Sequence, residues 1–176
     1  MSRGPAVAVV LALVLLAWAG MYWGWRGRTR RQQGLAAPHE PPPALADRAA
    51  AEGIEATYVS TTAAADWLDR IAVHGLGVRS DARVLATDDG LAVVRAGAPD
   101  LMVPASDLLD VRRETVRAGK AVTGEGLLVW DWDLGEARVS TAVAPRHDAE
   151  RDDLLASIQA LIDHHHPQPH DQQEAK

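Results

Sequence analysis

The chain has 176 residues, no cysteine, no phenylalanine, and a formal net charge of -6 that is unevenly spread. That length suffices for one compact domain with an anchor and a tail, but not for two ordinary domains. Without cysteine, disulfides, thiolate nucleophiles and Cys-based zinc sites are excluded. Residues 54–163 hold 11 Lys/Arg against 19 Asp/Glu, which excludes nucleic acid as a partner, because neutralising phosphate needs a surplus of cations.

The first predicted element is a membrane anchor. Residues 4–25, GPAVAVVLALVLLAWAGMYWGW, are 22 in a row without a charge, and as a helix they would span about 33 Å, enough for a hydrocarbon core of about 30 Å. Trp18, Tyr22, Trp23 and Trp25 gather at its C-terminal end, where amphipathic rings favour the headgroup level, and Arg26, Arg28, Arg30 and Arg31 follow. Four guanidiniums outweigh Arg3 and the N-terminal amine, so the positive-inside rule places the N-terminus outside and the rest in the cytoplasm, at the plasma membrane. Ala17-Trp18-Ala19 also resembles a signal-peptidase site. Cleavage there would leave the apolar run continuing to Trp25 and require the Arg cluster to cross as the first mature residues, so the anchor reading is preferred.

Residues 32–53 are rich in Ala and Pro, with Pro41-Pro42-Pro43 at their centre, and read as a semi-flexible spacer with an end-to-end distance of about 26 Å. Leu45 to Gly53 allows two helical turns before the domain begins. Between 54 and 144, short β-like runs alternate with Gly/Asp turns: 54–62, two runs within 81–97 joined by Asp88-Asp89-Gly90, then 100–116, 126–134 and 136–144. In the run 126–134, alternation puts Leu128, Trp130, Trp132 and Leu134 on a core face and Asp131 and Asp133 on the other. The last element is a helix at about 148–162, with an apolar stripe of Leu154, Leu155, Ile158, Leu161 and Ile162 and Asp148 as its expected N-cap. Residues 164–176 carry four of the seven histidines together with two prolines and read as a disordered tail rather than a metal site.

Strands followed by a terminal helix resemble the pleckstrin-homology-like fold. The residues YVSTT (58–62), DWLDRIAVHGLGVRSDA (66–82), LMVPASDL (101–108), RAGKAV (117–122) and GLLVWDWDLG (126–135) are similar to an actinobacterial family of small single-pass membrane proteins with a bacterial PH-like domain. The resemblance covers 54–163 and implies an N-terminal transmembrane helix followed by a mainly-β PH-like barrel that a C-terminal α-helix closes. Such proteins are often labelled transporter or export protein, and the family supplies no activity to carry over to particular residues.

No motif demands a reaction, and the chain is expected not to be an enzyme and to need no cofactor or metal. HGLGVR (74–79) lacks the third glycine of a dinucleotide loop and reads as a turn. Asp131 and Asp133 read as a solvated strand face rather than an acid/base pair. His74 and His147 have no serine in a nucleophile elbow to serve. Arg112, Arg113, Arg117 and Lys120 form the one basic cluster in the acidic domain, read as a protein-contact patch or a salt-bridged strand. The stretch 61–66, TTAAAD, lacks any Lys or Arg where lipid-binding PH domains grip phosphate, so inositide recognition is not expected. The expected function is a membrane-tethered cytoplasmic adapter binding a protein partner. An accessory subunit of a transport complex, with Gly20 and Gly24 as a small-xxx-small contact, is one alternative; an enzyme with an unrecognised site is another.

Overall fold

A computed structural model describes residues 4–32, 34–114 and 126–166. The chain divides into two compact units, Met1–Gly34 and Leu35–Lys176. In the first, helix α1 runs from Gly4 to Arg31. Its described side chains, Trp18, Tyr22 and Trp23 among them, are exposed. The side chains of Trp25, Arg26, Arg28, Arg30 and Arg31 lie outside the described residues. Among the described residues no helix is long and apolar enough to cross a membrane.

The second unit contains helix α2 (Pro43–Glu52) and eight strands: β1 (Ile54–Ala63), β2 (Asp66–Arg70), β3 (Ser80–Thr87), β4 (Gly90–Arg95), β5 (Leu101–Pro104), β6 (Leu108–Glu114), β7 (Leu127–Leu134) and β8 (Ala137–Pro145). Helix α3 (Asp148–His165) follows. All strand pairs are antiparallel, in the order β5-β4-β3-β1-β8-β7-β6, with β2 paired to β1 off this path. The two outermost strands, β5 and β6, are joined by a single 3-10 turn, Ala105–Asp107. Edges three residues apart in the chain can exist only if the sheet wraps until they meet, which gives the expected barrel-like closure.

Its interior holds Tyr58, Leu76, Val84, Leu91, Val93, Leu101, Leu108, Leu128, Trp130, Trp132 and Val143, and α3 lays Leu154, Ile158 and Ile162 against them. Leu155 and Leu161 flank that stripe, half-buried. The face pattern expected for β7 holds: Trp130 and Trp132 are buried and Asp131 and Asp133 are not. His147, not Asp148, occupies the cap position of α3, with no side-chain hydrogen bond. The helix runs to His165, past the expected start of the tail, and His166 Nε2 lies 3.1 Å from the Ser106 carbonyl oxygen. His170 lies outside the described residues.

The spacer expected over 32–53 is largely part of the domain. Met102 N–H donates to the His39 carbonyl (2.7 Å), and Pro43 sits in the first turn of α2, where its missing N–H costs nothing. Ala49 and Ala92 are both fully buried where α2 packs on the outer face of the sheet with Met102. Small side chains on both surfaces permit that close approach. The 22-residue coil estimate therefore does not hold for this stretch.

In the β3–β4 hairpin, Thr87 pairs with Gly90. Asp88 and Asp89 keep negative φ, and Gly90 takes the turn at φ +134°. A Cβ there would lie 2.1 Å from the Val103 carbonyl oxygen. Gly90→Ala should therefore cost at least about 2 kcal/mol in urea denaturation, combining a disallowed φ with a backbone collision; a change under about 0.5 kcal/mol would show that the hairpin relaxes freely.

Candidate functional site

The barrel has two different ends. At one end, the β1–β2 turn, the β7–β8 turn and the loop 71–79 converge. Ala64 N–H donates to the Arg138 carbonyl (3.1 Å). His74 holds φ +54° with Nε2 3.1 Å from the Leu35 carbonyl oxygen.

This end is plugged by Leu76 and locked by a buried polar chain. Trp132 Nε1–H donates to Thr141 Oγ1 (2.9 Å), Thr141 and Thr61 hydroxyls are 2.8 Å apart, Thr61 and Tyr58 hydroxyls 2.6 Å, and Tyr58 donates to the Leu76 carbonyl (2.9 Å). Indole N–H only donates and a carbonyl only accepts, so the direction is fixed throughout: Trp132 to Thr141 to Thr61 to Tyr58 to Leu76. Each hydroxyl gives one bond and receives one, which is what burial of three hydroxyls requires.

Arg95, 4% exposed, adds to this end. Its guanidinium lies 4.5 Å from the Tyr58 ring centroid, donating from Nε to the Pro99 carbonyl (2.6 Å) and from Nη1 to the Gly75 carbonyl (3.1 Å). Burial lowers its pKa, partly offset by Tyr58 and Asp100. Burial likewise raises the Tyr58 phenol above its usual value, against the Thr61 hydrogen bond and the charges of Arg95 and Arg70. A raised folded-state pKa means this stabilisation is present below about pH 10 and is lost as pH rises through the folded value. Wild-type urea midpoints should thus fall more steeply between pH 9 and pH 11 (roughly the Tyr range) than those of Tyr58→Phe. Parallel slopes would place the phenol's titration elsewhere.

The opposite end carries an open cleft of about 610 Å³ between α3 and the β3–β4 turn, lined by Ala86, Thr87, Asp88, Ser157, Leu161 and His165, among others. His164 and His165 stand edge-on 5.2 Å apart at its rim. Among the described residues, no group of three or more His, Cys, Asp or Glu could hold a metal. A volume of that size with a mixed lining suits a peptide segment or helix turn.

The basic cluster is only partly placed. Arg112 pairs with Asp131 (2.8 Å), Glu114 (2.9 Å) and Asp110 (3.5 Å), and Arg113 with Asp152 on α3 (2.6 Å). Burial pulls the Arg112 pKa down, but the hydrogen bonds it donates to Asp131 and Glu114 and their charges outweigh it and raise the net value. Arg117 and Lys120 lie outside the described residues. The two described arginines are thus engaged in ion pairs across β6, β7 and α3, as in the salt-bridged-strand reading. Asp131 accepts from Ser140 as well (2.6 Å), so its carboxylate is bound on both oxygens rather than simply solvated. Sequence reasoning missed the cleft and the polar chain, since the partners of both lie up to 80 residues apart.

The family described as Bacterial PH domain-like matches residues 35–159. No curated protein gives a significant match. The matched stretch begins where the second unit begins and includes α2 along with every strand, so its extent and the fold agree: the chain belongs to the Bacterial PH domain-like family.

Proposed function

We propose that the protein is a membrane-tethered protein-interaction module with no chemistry of its own, whose PH-like domain receives a partner segment in the cleft beside α3. The observation that carries this reading is that open cleft, bordered by the partly exposed Leu161 and the small residues Ala86 and Ala160. Tethering rests on the 22 uncharged residues and the Arg cluster that follows them, with the N-terminus outside and the domain in the cytoplasm. A tethered module gains effective concentration toward other membrane-bound partners.

Filling the cleft tests it. A photo-crosslinker at Ser157 should yield discrete adducts in native membranes, and Ala160→Trp should abolish them without shifting Tm. Identical adducts with and without the Trp would sink the cleft as a docking site. Protease outside intact cells should spare residues 54–176, and their digestion would reverse the orientation. The second reading, an accessory subunit of a transport complex, is favoured by Gly20 and Gly24, where an added Cβ would meet nothing within 4 Å, leaving room for a neighbouring helix.

A further inference from the structure

Strand β2 is out of place for a soluble surface. Trp67 is 73% and Leu68 64% exposed, although neighbours on a strand point to opposite faces. Both faces of the strand are therefore bare at that point, and the β1–β2 hairpin projects from the barrel. Val78, on the next segment, is 50% exposed. An exposed indole beside a leucine costs solubility and calls for a cover.

The place where the chain enters the domain identifies that cover. The Leu35 carbonyl contacts His74, and Ala36 Cβ lies 3.1 Å from where a Gly135 Cβ would sit. Gly135 is in the β7–β8 turn, whose neighbour Arg138 bonds Ala64 of the β1–β2 turn. Hence Leu35, at the start of the domain, and the Trp67–Leu68 hairpin share one end of the barrel. The cleft, the 3-10 turn and the C-terminus of α3 are at the other. Only 32–34 separate Leu35 from the last residue of α1, a reach of at most about 14 Å.

We infer that Trp67 and Leu68 seat in the headgroup region of the bilayer, holding their end of the domain against the cytoplasmic leaflet with its cleft facing away. This rests on α1 being the membrane span proposed above. Trp favours that depth, and the hairpin's Asp66 carboxylate is already occupied by the Leu68 N–H (2.9 Å). The domain's surplus of acids excludes electrostatic attraction to anionic lipid, so the contact is apolar and insensitive to salt.

The absence of cysteine permits a clean test. Nitroxide labels on Leu68→Cys, Asp88→Cys and Leu15→Cys full-length protein, in vesicles of phosphatidylcholine and phosphatidylglycerol, are probed by collision with oxygen and with a water-soluble nickel complex. At 68 the nickel collision rate should be several-fold below that at 88, at low and high salt alike, and Trp67→Ala should restore it. With the label at 15 shielded, equal nickel access at 68 and 88 overturns the inference and leaves the hairpin to a protein partner. A label at 15 open to nickel overturns the anchor reading itself, a separately visible failure.

Discussion

Trp130→Ala and Trp132→Ala should each lower the stability of the domain by about 3–5 kcal/mol, read from urea midpoints, a large share of what a domain of this size possesses. Both indoles are buried on the inner face of β7, and no phenylalanine exists elsewhere in the chain to share the aromatic volume. Substitution by Phe separates the two. Among the described residues Trp130 Nε1 has no hydrogen-bond partner, so Trp130→Phe removes an unsatisfied donor along with some volume. Trp132 Nε1 starts the polar chain, so Trp132→Phe deprives Thr141 of its donor and should cost about 1–2 kcal/mol more. Asp131→Asn, disturbing a half-exposed ion pair, should cost about 1 kcal/mol. Equal effects at all three positions would mean that β7 does not face the core as described.

Arg95→Met should be nearly as damaging, at about 2–4 kcal/mol. Methionine replaces the stem but leaves the Gly75 and Pro99 carbonyls without their donors and removes the cation over Tyr58. Arg95→Lys should recover little, since one ammonium cannot serve two diverging carboxamide oxygens and a ring face as the planar fork does. Amide exchange would localise the effect: protection at Thr61 and Ile71, whose N–H groups bond Leu76 and Thr61 carbonyls, should fall before that of β7. Uniform loss across the sheet would instead make Arg95 a general core residue.

What was readable in the chain was what is local. Asp88-Asp89-Gly90 encodes a hairpin within a few residues, alternation sets the β7 faces, and a 3.6-residue period marks α3. Residues 35–53 misled because proline and alanine signal a spacer by composition, while their burial depends on Ala92 and Met102, about 50 residues on, which no local pattern announces. Arg95 was invisible for a similar reason. A charged residue ending a strand reads as solvated, and only the loops carrying Gly75 and Pro99 make it interior. At the basic cluster, Arg112 meets Asp110 and Glu114 two residues away on its own strand, but its shortest pair, to Asp131, depends on the β6–β7 register, which sequence proximity does not announce.

The position of β1 governs when the domain can form at all. It lies between β3 and β8, pairing Ala56 with Ala82 on one side and Ala63 with Val139 on the other. The first pairing closes a short loop, but the second waits for nearly the whole chain, and such distant contacts slow folding. Until β8 has been synthesised, β1 presents a bare edge of alternating Thr and apolar residues, open to pairing with another nascent chain. Chains ending before Ala137 should aggregate rather than fold in part, so an early stop in translation leaves no working remnant of the domain.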